Sequence, residues 1–198
     1  TVKQHIRSKA CIKRFVPAGT SEVGVLEKDG GKPRKVSPAS KCFCAERVWD
    51  ERTERSKWTV DIENRFQLEA TAISNAKAVT DHAAVTDYFA LWYVRSQLAA
   101  APLEDMELCV YPGQRLTVEH ENLLERHGRI FVRPSTAPDR AVVPGRLMSF
   151  PHATDQHRAI VGRLRHMRWG VLRAPRDARF ICPDDPGDQL YMPLSPWL

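Results

Sequence analysis

The amino-acid sequence predicts an α+β protein that is rich in helices. Three observations predict this class: apolar residues at helical spacing in the middle of the chain, a strand-turn-strand pattern near the N-terminus, and short alternating segments near the C-terminus. The 198 residues fit a single domain over residues 1–198. Because 42% of the residues are hydrophobic and 27% are charged, the composition is typical of a globular protein.

The N-terminal part predicts one short helix and one hairpin. Residues 8–15 predict the helix, which begins after a serine suited to an N-cap. Residues 22–27 alternate loosely, a glycine-containing turn follows at residues 28–32, and residues 34–37 complete the predicted N-terminal hairpin.

The remaining elements are predicted from apolar spacing, caps and turns. The predicted helices are residues 59–78 with Thr59 as N-cap, 80–100 with Thr80 as N-cap, 117–127 closed by Gly128, and 154–168. Short strands are predicted at residues 129–133, 169–173, 179–182 and 189–192. Residues 134–153 contain four prolines and predict a long loop, whereas residues 38–58 favour neither helix nor strand.

Two charged residues interrupt the apolar faces of the central helices. Glu69 follows Phe66 by three residues and precedes Ile73 by four, and Arg95 follows Leu91 by four. A charge buried alone costs several kcal/mol, so we expect Glu69 to pair with Arg95 across the two adjacent helices. The pair would be a structural ion pair or part of a functional pocket; the other alternative is that both residues lie at the edges of their faces.

Charge is unevenly placed along the chain, although the net charge is only +6. Residues 1–41 carry ten Lys/Arg and three Asp/Glu, residues 42–139 carry eleven and sixteen, and residues 140–198 carry nine and five. The guanidinium fork suits phosphate and carboxylate groups, so the basic ends predict an acidic partner, either nucleic acid or an acidic protein surface. The alternative is that the acidic middle packs between the basic ends. The predicted contact residues are Arg158, Arg163, Arg165 and Arg168.

Several short motifs, in order along the chain, resemble a known family. They are Gln4-His5-Ile6-Arg7-Ser8, Ile12-Lys13-Arg14-Phe15, Ile62-Glu63, Leu68-Glu69, the apolar helix ending in Val94-Arg95, Trp169-Gly170-Val171-Leu172, Phe180-Ile181-Cys182-Pro183-Asp184-Asp185-Pro186, and Pro193-Leu194-Ser195-Pro196. Together they resemble the mostly bacterial family called domain of unknown function 4238. There are two departures: the proline usual soon after the histidine is absent, and Pro183 and Asp185 stand where the family has serine and asparagine.

The resemblance implies little chemistry, because that family has no settled activity. It directs attention to five polar residues: His5, Glu63, Glu69, Arg95 and Asp184. The mostly bacterial occurrence of the family is compatible with a role in phage–host conflict or toxin neutralisation.

A nuclease is the alternative to a binding protein. His5, Glu69, Arg95 and Asp184 together would supply acid–base groups and a charge clamp for phosphodiester cleavage. A divalent metal belongs only to this alternative; otherwise the sequence predicts no metal and no cofactor. A third hypothesis is that the polar helix residues only fix the packing. No phosphate-binding glycine loop, dinucleotide fingerprint or nucleophile elbow is present in the sequence.

The cysteines and the apolar segments indicate a cytoplasmic protein. Five cysteines form no disulfide framework, which predicts reduced thiols. The longest strongly apolar run, residues 88–94, is too short to span a bilayer, and we expect neither a signal peptide nor a membrane partner.

Overall fold

The computed structural model describes residues 3–27, 30–109, 113–137, 140–187 and 190–198. The helices are α1 (Lys9–Lys13), α2 (Glu51–Arg55), α3 (Lys57–Ser74), α4 (His82–Ala100), α5 (Val118–Arg126) and α6 (Ser149–Leu164), with 3-10 turns at Lys41–Phe43 and Gly145–Met148. The strands are β1 (Lys3–His5), β2 (Val23–Val25), β3 (Arg34–Val36), β4 (Cys44–Glu46), β5 (Met106–Leu108), β6 (Arg133–Pro134) and β7 (Ala141–Val143). The predicted α+β class is therefore confirmed.

Helix α4 is the centre of the packing, and α3 and α6 pack against it. Twelve of its 19 residues are buried, which is expected for a helix covered on more than one face. Phe66 of α3 stacks on Tyr88 of α4 with ring centroids 3.9 Å apart. On another side of α4, Val94 and Leu98 pack in a cluster with Ala153 of α6.

Short polar side chains fix where α3 and α4 begin. The side chain of Ser56 accepts a hydrogen bond from the backbone N–H of Thr59, and the side chain of Asp81 accepts one from Ala84. The predicted caps Thr59 and Thr80 are therefore wrong by three residues and one residue. The Thr59 hydroxyl instead donates to the backbone oxygen of a residue in α2 at 3.0 Å.

Three small antiparallel sheets surround the helices. Strands β2 and β3 form the predicted hairpin, although residues 28 and 29 of its turn lie outside the described residues. Strand β1 pairs with β4 and places His5 opposite Cys44. Strand β7 lies between β5 and β6. None of the helices in the described part of the chain has the length and apolarity needed to cross a bilayer.

Several predicted boundaries in the last third of the chain are wrong. The predicted loop at residues 134–153 contains β7, a 3-10 turn and the start of α6, and the predicted strand at 129–133 is reduced to β6. Helix α6 begins earlier than predicted and ends at Leu164.

The predicted C-terminal strands are also absent from the described residues between 165 and 198. The predicted strands contain no proline, but a proline follows each of them within two residues, at positions 175, 183 and 193, and limits how far a strand ladder can extend. Isolated bonds replace the ladder: the N–H of Ala174 donates to the oxygen of Trp197, and the N–H of Phe180 donates to that of Pro196.

Candidate functional site

Arg95 lies at the centre of a buried charge cluster between α2, α3 and α4. Its side chain is only 3% exposed, and its Nη1 donates to Oε1 of Glu63 at 2.7 Å. Its Nη2 lies 3.7 Å from Oε2 of Glu54. The same Glu54 oxygen accepts a hydrogen bond from the indole of Trp49 at 2.8 Å. Burial alone would lower the pKa of Arg95, but the nearby carboxylates of Glu54 and Glu63 raise it by more. The net shift is upward, and the guanidinium stays charged.

His5 faces this cluster from β1. Its Nε2 is buried and has no hydrogen-bond partner among the described residues. Burial lowers the pKa of His5, with Glu54 opposing the shift and Lys9 and Arg95 adding to it. Burial therefore favours the neutral imidazole, which lies within electrostatic range of Arg95 and its two glutamates.

The predicted pairing of Glu69 with Arg95 is wrong, although both residues are buried as predicted. The carboxylate of Glu69 accepts hydrogen bonds from the backbone N–H of Thr80 at 2.6 Å and from the Thr80 hydroxyl at 3.0 Å. Glu69 thus holds the link between α3 and α4 in place of forming an ion pair.

The antiparallel register of α3 and α4 explains the different partners. The stacked Phe66 and Tyr88 show which positions of the two helices lie side by side. By the same register, Glu69 lies beside the first turns of α4, and Arg95 is about 15 Å further along the axis, at 1.5 Å per residue. Glu63 is one to two turns nearer to Arg95, so Glu63 supplies the carboxylate.

Asp184 is not part of the cluster either. Its backbone oxygen accepts a hydrogen bond from the indole of Trp92 at 3.1 Å, and burial raises the pKa of its carboxyl group. The structure therefore places His5 within electrostatic range of Arg95 and leaves Glu69 and Asp184 elsewhere. It gives no geometric support to a four-residue nuclease site, and catalysis by these residues stays a prediction.

Sequence reasoning missed Glu54, which lies in a region that favoured no element, and also the role of Arg7. Arg7 is 4% exposed, and its guanidinium contacts the sulfur of Cys182 and the backbone oxygen of Pro193. It also lies over the ring of Trp92, 4.6 Å from the centroid. Arg7 thereby attaches the C-terminal segment to α4. Its position within the family-like motif at the N-terminus was the available signal.

A second feature is the arginine-rich segment, defined as residues 158–179. This stretch contains seven arginines and one acidic residue. All seven arginines are exposed. They are Arg158, Arg163, Arg165, Arg168, Arg173, Arg176 and Arg179.

The arginines of this segment differ in their ion pairing from Arg140 and Arg146, the two other arginines between residues 140 and 198. Arg140 pairs with Glu107 at 2.7 Å, and Arg146 pairs with Glu121 at 2.9 Å in the interior. Within the segment, Arg158 pairs with Asp155 at 3.2 Å, and both side chains are more than 70% exposed. The other six arginines have no carboxylate within 4.0 Å among the described residues. The predicted contact residues therefore lie in open solvent, three of them without a described acidic partner.

Exposed aromatic side chains lie close to these arginines. The guanidinium of Arg179 is 3.1 Å from the ring centroid of Trp197, whose side chain is 47% exposed. Tyr191 is 40% exposed. Cationic groups next to exposed rings are the combination that contacts the phosphates and bases of single-stranded nucleic acid.

Neither metal ligands among the described residues nor similarity to known proteins indicates a further functional site. Among the described residues, no group of three or more His, Cys, Asp or Glu side chains is placed to hold a metal ion. A scan against protein-family models finds no match, and searches of curated proteins and of solved structures find no similar protein. The resemblance to domain of unknown function 4238 therefore stays a prediction.

Proposed function

We propose that this α+β protein binds nucleic acid through the arginine-rich segment. The observation that carries the proposal is the group of six exposed arginines with no carboxylate within 4.0 Å among the described residues. Arg165 donates from Nε to His166, and Arg179 donates from Nη1 to backbone oxygens, but no carboxylate among the described residues neutralises either guanidinium. An arginine without a carboxylate partner keeps its charge and most of its donors for a phosphate, and a bound polyanion releases counterions as it is neutralised. The proposal includes the cytoplasmic location predicted from the sequence.

The aromatic neighbours favour nucleic acid over an acidic protein surface. Carboxylates on a protein need only the guanidinium groups, whereas bases also stack on exposed rings such as Trp197. The arginines also do not share one helix face: Arg158 and Arg163 of α6 are five residues apart and lie on different sides of the helix, and Arg165 lies just past its end. A flexible single strand can follow such a distribution more easily than a rigid acidic surface can.

Binding of a fluorescein-labelled single-stranded RNA, followed by fluorescence anisotropy, tests the proposal. The variant Arg163→Gln/Arg165→Gln removes two guanidinium groups that have no carboxylate partner among the described residues. The control Arg34→Gln/Arg140→Gln removes the same net charge from arginines that are about half exposed but already paired with glutamates. We expect clearly weaker binding for the first variant and little change for the control. Equal losses in both variants would show that only the overall charge matters.

A second comparison distinguishes the kind of polyanion. Polyglutamate carries the same sign of charge but has no rings, and a Trp197→Ala variant removes the exposed indole. We expect the unmodified protein to bind RNA more tightly than polyglutamate, and the Trp197→Ala variant to lose most of that difference. Equal affinity for both polyanions would contradict binding to nucleic acid and would favour an acidic protein partner.

A further inference from the structure

The C-terminal segment forms one wall of a largely apolar cavity that lies beside the arginine-rich segment. This C-terminal pocket has a volume of about 320 Å³ and lies between α3, α4 and residues of the segments 168–172 and 190–198. Buried side chains of α3 and α4, among them Phe66, Ile73 and Val85, line it from the inside. Its volume is at the lower end of the range, about 300–1,000 Å³, that holds small organic ligands.

Several polar contacts hold the walls of the pocket in place. The backbone N–H of Trp169 donates to Nδ1 of His82 at 3.0 Å, and its indole donates to the Thr86 hydroxyl at 2.8 Å. On the other wall, Arg7 contacts the backbone oxygen of Pro193. The cavity is therefore lined by segments that hydrogen bonds attach to α4 and to Arg7, which lies between β1 and α1.

The side chains at the opening of the pocket are apolar, although they are exposed to solvent. Leu172 is 73% exposed and Leu190 is 51% exposed, and both line the cavity. Tyr191, also at the cavity, is 40% exposed. Large apolar side chains left open beside an apolar cavity indicate a surface that is covered when a ligand is bound.

The charges around the opening have one sign. A shallow cleft of about 370 Å³ adjoins the pocket, shares Val79 and Trp169 with it, and is lined by Lys77 and Arg173. Arg168 lines the pocket itself. Among the described residues that line the two cavities, none is acidic. An anionic group at the opening would meet cations only.

From this arrangement we infer that the C-terminal pocket binds a single-chain anionic amphiphile. The alkyl chain enters between the buried side chains of α3 and α4 on one side and the segments 168–172 and 190–198 on the other, and a carboxylate or phosphate head group lies at the opening near Lys77 and Arg173. A neutral or cationic head group would leave those cations unpaired. The positive charge at the opening therefore favours a ligand with a negatively charged head group. A fatty carboxylate and an alkyl phosphate share this chemistry.

Isothermal titration calorimetry with decanoate, decyl phosphate and decanol, each kept below its micellar concentration, tests the inference. The variant Leu190→Asp introduces a negative charge at the mouth, and Leu123→Asp is the matched control because both leucines are 51% exposed and Leu123 of α5 lies outside the pocket. We expect Leu190→Asp to weaken decanoate binding by about tenfold or more, since burial of one leucine side chain against a ligand is worth about that factor. Leu123→Asp should bind as the unmodified protein does.

The variant Lys77→Gln tests the head group separately. We expect it to weaken the binding of decanoate and decyl phosphate and to leave the binding of decanol unchanged. Binding of all three ligands with equal affinity would overturn the role of the anionic group. Absence of heat for decanoate and for decyl phosphate, or an equal loss in both leucine variants, would overturn the site. The variants Lys77→Gln and Leu190→Asp leave every arginine of the arginine-rich segment in place, so their effects on amphiphile binding are measured apart from nucleic-acid binding, although Arg168 and Arg173 belong to both surfaces.

Discussion

The ion pair between Arg95 and Glu63 gives the sharpest prediction about the interior. Replacing Glu63 with glutamine leaves the guanidinium of Arg95, 3% exposed, with only the more distant Glu54 at 3.7 Å. Removal of one partner from a fully buried pair costs about 3–5 kcal/mol. Glu63 is 28% exposed, so water screens part of this interaction, and we expect a loss of about 2–3 kcal/mol in the free energy of unfolding.

A double-mutant cycle measured by urea unfolding checks the pairing itself. The variants are Glu63→Gln, Arg95→Met and their combination, and Glu69→Gln with Arg95→Met forms the comparison cycle. We expect a coupling energy of about 1–3 kcal/mol between Glu63 and Arg95, and a value within about 0.5 kcal/mol between Glu69 and Arg95. A larger coupling in the second cycle than in the first would refute the register of α3 and α4 described above.

Two further predictions concern stability. Burial lowers the pKa of His157 although Asp87 opposes the shift, so the unfolded chain takes up the proton first as the pH falls. Stability is therefore lost below about pH 6.5, by at most about 1.4 kcal/mol per pH unit for this histidine, and His157→Gln should flatten a plot of unfolding free energy against pH; an unchanged slope would contradict this. A Cβ at Gly145 would overlap the backbone oxygen of Leu103, so Gly145→Ala should cost about 2–4 kcal/mol. Gly162→Ala, where a Cβ meets open space within α6, should stabilise by about 0.5–1 kcal/mol, and equal melting temperatures for the two variants would contradict the close packing at Gly145.

The helices were largely predictable because their apolar spacing is regular, but their first residues were not. Thr80 and Asp81 are neighbours in the sequence, and both residue types are good N-caps. The choice between them depends on the side chain of Glu69, which takes the backbone N–H and the hydroxyl of Thr80 and leaves Asp81 to cap the helix. Such a contact between distant residues is not visible in local sequence.

The sequence predicted that Glu69 and Arg95 are buried. It could not predict their partners, because these depend on how α3 and α4 are aligned along their axes. The apolar faces around Glu69 and Arg95 predicted that both side chains point inward, and both are buried. The partner of Arg95 depends on how α3 slides along α4, which the stacked Phe66 and Tyr88 determine. Glu54 contributes to the same cluster from α2, a short helix whose sequence carries no helical periodicity.

The C-terminal segment shows the limit of strand patterns. Residues 169–173 and 179–182 contain apolar residues typical of strands, yet a proline follows each segment within two residues and only isolated hydrogen bonds form in this region. The arginines of the same region were identified from composition alone. Whether an arginine is paired depends on the fold, which places Arg140 and Arg146 against glutamates and leaves Arg163 exposed without such a partner among the described residues.

The salt dependence of RNA affinity tests the proposed function most directly. Each arginine that neutralises a phosphate contributes about 0.7 to the slope of the logarithm of affinity against the logarithm of salt concentration for a single strand. We predict a steep negative slope for the unmodified protein, a slope shallower by about 1.4 for Arg163→Gln/Arg165→Gln, and an unchanged slope for Arg34→Gln/Arg140→Gln. Affinity that persists at high salt, or identical slopes for all three proteins, would contradict binding through the arginine-rich segment.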